Sequence, residues 1–263
     1  MLSDLKKTNF RISAPRRKFA NLEQISTGRV VETDWGEFYL CERSLSEFHQ
    51  EPERVVSEYV ALFNEDLLAD THEDFYSLLA SEPGKVLFLD IETTGLSNCP
   101  LFLIGTMYLD DSNDRADRST FKLDLLFARD YSEESTLLHY LNNLFAKFDV
   151  LVSFNGKSFD IPFIKNRMDF YRMPQDEFNL FHFDVLIHSR RKWGGITANC
   201  QLQTLETDIC GRRRIGDIPG ALIPEVYHEF VRTGNPQLLK EVFHHNALDL
   251  ITMAELIVAL LDD

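Results

Sequence analysis

Between Lys85 and Phe127 the chain carries three apolar runs in close succession, and these constrain its fold more than any other feature. Val86–Ile91 is a continuous apolar run closed by acids, Leu101–Leu109 is a second, and Ser119–Phe127 alternates apolar with polar residues. Runs this short, bounded by turn residues, read as strands, and three in a row read as antiparallel neighbours. The period then changes. Asp130 and Glu133 form a capping-box pattern for a helix to about Phe148, Val150–Phe154 is a buried strand, and Ile161–Tyr171 is helical. A strand around Leu180–Phe183 follows, and helices complete the chain. The order β-β-β-α-β-α-β-α is that of an α/β layer sandwich whose last strands are parallel.

The pattern before Glu82-Pro83-Gly84 is different in kind. Thr33–Glu42 alternates like a short strand or hairpin, and Glu53–Leu79 is helical with a break at Asp70-Thr71, where Thr71 and Asp74 offer a cap for a second helix. Residues 1–83 are therefore expected to be an N-terminal extension of short strands and helices, and residues 84–263 the main domain.

Composition narrows the function classes. With 44% hydrophobic and 26% charged residues the chain falls among ordinary globular proteins and outside disordered or fibrous ones. Its 263 residues suffice for a core that needs no staple. Cys41, Cys99, Cys200 and Cys210 form no CxxC pair and no zinc-type spacing, so they are expected to be reduced and mostly buried. Met1–Arg17 lacks the apolar region of a secretory signal, and apolar stretches such as Leu256–Leu261 are too short to span a bilayer. The expected compartment is the cytoplasm, with no membrane partner.

Charge gives a mixed message. The 42 acidic residues exceed the 27 basic ones, a net charge of −15, whereas phosphate binding relies on Lys and Arg. Basic residues nevertheless cluster in residues 1–18 and again in residues 187–216, where Arg190, Arg191, Lys192 and Arg212–Arg214 fall. Such runs are either solvated surface or backbone contacts, with Arg212–Arg214 the candidate for the latter.

Three segments carry chemistry. In Asp90-Ile91-Glu92-Thr93-Thr94-Gly95-Leu96, alternation along a strand puts Asp90 and Glu92 on one face at its C-terminal end, where α/β sheets place their sites. Such a pair could also simply end a strand at the surface. In Phe154-Asn155-Gly156-Lys157-Ser158-Phe159-Asp160, a strand opens into a turn and Asp160 starts a helix, as a capping residue or as a site acid. In His244-His245-Asn246-Ala247-Leu248-Asp249, helical spacing stacks His245 on Asp249 and swings His244 aside. Four carboxylates, Asp90, Glu92, Asp160 and Asp249, are the oxygen donors that two Mg²⁺ or Mn²⁺ ions require, and four negative charges match their +4. Two such ions about 3.5 to 4 Å apart serve in-line phosphoryl displacement.

The three segments match, in order and local pattern, motifs I, II and III of the DEDD superfamily of 3′-to-5′ exonucleases, which share the ribonuclease H-like fold. The surrounding sequence resembles the bacterial YprB-like family within it, through Phe183-Asp184-Val185 with Arg190, Leu205–Ile215, Pro219-Gly220 before Ile223-Pro224, Tyr227, and His245-Asn246 ahead of Asp249. The resemblance covers about Lys85–Val258. It implies a mixed five-stranded sheet with helices on both faces and a hydrolase that degrades single-stranded nucleic acid from its 3′ end by a two-metal-ion mechanism. It further implies that Asp90, Glu92, Asp160 and Asp249 bind the metal ions. The backbone of Thr93, Thr94, Gly95 and Leu96 would hold the 3′-terminal nucleotide, with Leu96 against its base, while Asn155 and Phe159 would contact the strand near the scissile phosphate. The superfamily divides by a His five residues before the last Asp or a Tyr four before it; here His244 and His245 occupy these positions, and the helical stacking favours His245 as the base. Asp184 is either a supporting acid, a cap, or a salt-bridge partner of Arg190 or Arg191. An endonuclease of the same fold and a non-catalytic nucleic-acid-binding module are the competing readings.

Overall fold

The computed structural model describes residues 22–63, 72–110, 120–175, 178 and 180–262. The basic N-terminal residues through Arg17 and the expected cap Thr71 lie outside them.

Strand β3 (Val86–Thr93) is central and needs partners on both edges and both faces, which is why its first four residues are all fully buried. On one edge it pairs antiparallel with β4 (Leu101–Asp110), which pairs antiparallel with β5 (Thr120–Phe127). On the other it pairs parallel with β6 (Val150–Ser153), which pairs parallel with β7 (Phe181–Asp184). These are the five strands expected. The sheet has seven, because the hairpin of β1 (Arg29–Thr33) and β2 (Gly36–Ser44) joins it through β2 against β5, giving the order β1-β2-β5-β4-β3-β6-β7. β2 buries Phe38–Cys41 in the same core as the central strands, so part of the region before residue 84, Arg29–Thr33 and Gly36–Ser44, belongs to the sheet.

Period-two alternation sends β3 into two cores. Leu87, Leu89 and Ile91 face a layer built with α3 (Glu134–Phe145), α4 (Asp160–Phe170) and α7 (Ile223–Thr233). Val86 and Phe88 face a layer built with α1 (Pro52–Ala61), α2 (Glu73–Leu79), α5 (Val185–Trp193), α6 (Leu202–Asp208) and α8 (Leu239–Leu261). By length and hydropathy α8 is the one described helix able to cross a bilayer, but 67% of its most apolar window is buried here as a core helix. Lys192 closes its C-terminal end by donating to the carbonyls of Ala259 and Leu260.

Local capping departs from expectation in two places. His72 caps α2, its Nδ1 accepting from the Asp74 N–H at 3.1 Å. Asp130 caps a short 3₁₀ turn ahead of α3, while Glu133 turns back to the N–H and guanidinium of Arg129. Of the cysteines only Cys41 is fully buried, and burial pushes its thiol up to about 11.

Two buried polar contacts set where α4 and α8 sit. Glu134 is fully buried yet accepts from Arg167 through both oxygens at 2.7 and 2.6 Å, from Tyr171 Oη at 2.7 Å and from the Leu101 N–H at 2.9 Å. This bidentate pair ties α3 and α4 to the start of β4. Opposite Asp90 in the sheet stands Gly105, where a Cβ would lie 1.9 Å from Oδ1 of the buried Asn246 of α8. Only glycine lets α8 approach so closely. Gly105→Ala is therefore expected to cost about 2 to 4 kcal/mol, read as a lower urea midpoint, because Asn246 is fully buried and moving it strains its hydrogen bond to Asp90.

Candidate active site

Asp90 and Glu92 share the β3 face beneath α8, as alternation requires. Asn246 Nδ2 donates to Asp90 Oδ2 at 2.7 Å and so fixes that carboxylate. A bulge between Glu92 and Thr93 then ends the regular pairing. The following turn is closed by its own hydrogen bonds, from Thr93 Oγ1 to the Gly95 carbonyl at 2.6 Å and from the Thr94 N–H and Oγ1 to the Pro100 carbonyl, each at 2.9 Å. Leu96 at its tip is 86% exposed, which no packing requirement explains.

Asp160 opens α4 and is buried, its carboxylate accepting from its own N–H and from that of Ile91. The loop leading to it is tight. Asn155 adopts the left-handed conformation at φ 66°, and a Cβ on Gly156 would meet Ser153 Oγ at 2.2 Å. Asp184 holds this loop: its oxygens accept from the N–H groups of Asn155 at 2.8 Å and Lys157 at 3.0 Å, while also capping α5 through Leu186. Among the described residues it has no ion pair with Arg190 or Arg191, so of its three expected roles capping is the one observed, and holding the loop is a further one. Phe159 is half-buried against Phe163. Ser153 Oγ meets His182 Nε2 at 2.7 Å, and burial pushes His182 down to about 4.

Asp249 arrives from α8, and the two histidines ahead of it part company. His245 Nε2 lies 3.6 Å from Asp249 Oδ2, while its Nδ1 lies 2.9 Å from Asp217 Oδ1. His244 instead stacks on Phe48 at 5.6 Å and lines a separate cavity of about 260 Å³ with Arg43 and Phe243.

The residues that sequence reasoning missed are Arg214 and Asp217. The Arg214 side chain is 6% exposed and reaches Asp249 Oδ1 at 2.5 Å, Glu206 Oε2 at 2.5 Å and Asp217 Oδ2 at 3.1 Å. Arg212 is taken up by Glu255 and Glu206. The expectation that Arg212–Arg214 form a basic contact strip is therefore corrected, since only Arg213 of the three is exposed. The loop between α6 and α7 has no hydrophobic period; its one local signal was the Arg214/Asp217 spacing of three.

The four carboxylates are close enough to perturb one another. Asp90 and Glu92 are pushed well above the ordinary carboxylate range, first by burial and then by the charge of Asp249 and their other acidic neighbours. Asp160 is pushed up to about 7, mainly by burial. No three of them bring donor oxygens within 4.8 Å of one another. A cleft of about 530 Å³ opens over Asp90 and Asp249, with Asn155, Arg190, Asn199 and Gln201 along its walls. An all-oxygen donor set with one counter-cation fits hard divalent ions, and its spread fits donors divided between two.

The model of the family described as the RNase_H superfamily (RNase_H_2) matches residues 87–261. The chain belongs to the RNase H superfamily. That match contains Asp90, Glu92, Asp160 and Asp249 together with Arg214 and Asp217. A Bacillus subtilis (strain 168) protein described as "Uncharacterized protein YprB" is 32% identical over 209 residues, 77% of this chain and 47% of that protein. This similarity is consistent with a YprB-like branch of the RNase H superfamily, and the chain spans about half the length of that relative. The family B DNA polymerase of the hyperthermophilic archaeon Pyrobaculum calidifontis superposes with a TM-score of 0.49 at 15% identity, over 65% of this chain and 24% of the polymerase.

Raised carboxylate pKa values carry a stability consequence. A carboxylate whose pKa rises on folding binds more protons folded than unfolded, so stability falls as pH rises, for Asp160 between its ordinary value of 3.8 and about 7. Without divalent ions, Asp160→Asn is expected to raise the melting temperature at pH 8, by about 1 to 3 kcal/mol in stability, and to leave it nearly unchanged at pH 4. Thermal denaturation in chelator at the two pH values checks this.

Proposed function

We propose that this chain is a metal-dependent 3′-to-5′ exonuclease acting on single-stranded nucleic acid. The observation that carries the reading is the gathering of Asp90, Glu92, Asp160 and Asp249 beneath an open cleft, with His245 at its side. These four residues would hold two Mg²⁺ or Mn²⁺ ions, which when bound supply Lewis-acid activation of water and neutralise charge at the scissile phosphate.

The remaining work falls to the chain's own groups. Asn246 holds one oxygen of Asp90 and Arg214 one of Asp249, so each carboxylate is anchored by a donor on one side. Asp217 can only accept at His245 Nδ1, so that nitrogen donates to it, while Nε2 points toward Asp249. Nε2 is then the atom that takes the proton from the attacking water, with Asp217 orienting the ring. The closed turn Thr93–Leu96 supports the 3′-terminal nucleotide, with exposed Leu96 against the base, and Asn155 and Phe159 flank the strand behind it. Because Arg212 and Arg214 are already engaged, Arg190 is the basic side chain lining the cleft, and binding is expected to be weak, salt-sensitive and distributive.

The decisive experiment digests matched 3′- and 5′-labelled DNA and RNA oligonucleotides in Mg²⁺ or Mn²⁺. Wild type is expected to release mononucleotides from the 3′ end, and Asp90→Asn to lose at least about a hundredfold in rate. Internal fragments would identify an endonuclease, and intact substrate in both metals a binding module. His245→Ala is expected to be far slower than His244→Ala, with Asp217→Asn intermediate at roughly tenfold. The opposite ranking of the two histidines would remove His245 from its role.

A further inference from the structure

Away from the cleft, among the described residues, one group of metal-ligating side chains does converge: His72, Asp74 and His188 present donor atoms all within 4.8 Å of one another. His72 and Asp74 begin α2, and His188 lies more than a hundred residues later on α5. The His188 ring is 3% exposed and held in place by stacking on Phe183 at 4.5 Å and by the edge of Phe75 at 4.8 Å. That packing aims Nε2 at Asp74 Oδ2, 3.0 Å away, and His72 Nδ1 lies 3.6 Å from the same oxygen.

These distances suit a shared ion. Zinc bonds of about 2.0 to 2.1 Å in tetrahedral geometry separate neighbouring donors by about 3.3 Å, between the two values observed. Two imidazoles and one carboxylate are a borderline-soft set that selects zinc over magnesium, the reverse of the all-oxygen cleft. Two contacts would be given up on binding: the hydrogen bond between His188 Nε2 and Asp74 Oδ2 at 3.0 Å, and the cap in which His72 Nδ1 accepts from the Asp74 N–H. Three bonds to the ion would replace these two hydrogen bonds.

The geometry points to a zinc site formed by His72, Asp74 and His188, with water in the fourth position, that staples α2 to α5. It is independent of the exonuclease reading. Because α2 precedes the RNase H match and α5 lies within it, an ion here would fasten the N-terminal region to the nuclease fold.

The test uses the full chain, freed of metal and kept in excess Mg²⁺ so that the carboxylate cleft is filled. Titration with Co²⁺ is expected to give the visible absorption of four-coordinate cobalt at one equivalent, displaced by one equivalent of Zn²⁺. Zn²⁺ is expected to raise the melting temperature. His72→Asn replaces the exposed imidazole by a residue that still caps a helix, so the metal-free melting temperature should hold while Zn²⁺ affinity falls at least about a hundredfold. His188→Gln should likewise abolish the cobalt spectrum. Equal zinc uptake and equal stabilisation in wild type and His72→Asn would place the ion elsewhere and overturn the site, as would no cobalt spectrum in wild type.

Discussion

The structure is organised around four acidic groups that share one end of a buried sheet. Placing Asp90 and Glu92 on a central strand, then bringing Asp160 and Asp249 to them, opposes both hydrophobic burial and Coulomb repulsion. The fold tolerates this through specific compensation. Asn246 donates to Asp90, backbone N–H groups donate to Asp160, and Arg214 neutralises part of Asp249. Arg214 is in turn held by Glu206 and Asp217, so ion pairs help fix a loop with little secondary structure.

The positions of these acids were legible because each sits on a regular element. Alternation along β3 placed Asp90 and Glu92 on one face, and the four-residue stack on α8 separated His245 from His244. The three antiparallel strands and the two parallel ones were legible for the same reason. What escaped was everything without a period. Arg214 and Asp217 lie in a loop, and the sequence shows three arginines in a row without showing which carboxylates they meet. Most of β2 was visible as alternation over Thr33–Glu42, but its pairing with β5 is a contact between segments about 80 residues apart that no local pattern encodes.

Asp184 shows how a single acid can be read three ways until its neighbours are in place. It supports the loop that carries Asn155 into a left-handed conformation and caps α5 with the same carboxylate. The strand end, the turn and the helix start are thus fixed by one side chain, which keeps Asp160 in register with β3.

α8 runs through both cores. Its first turns pack with α7 on one side of the sheet, and its later turns fill the other side, with His245, Asn246 and Asp249 at the crossover. A helix advances 100° per residue, so a slight rotation at this crossover would swing all three polar side chains at once. The apolar residues at the far end, from Met253 to Leu260, therefore act as the bearing that sets the angle of the polar ones. A lineage that repacks that end must preserve the helix's azimuth, and not merely its hydrophobicity, to keep the acids facing one another.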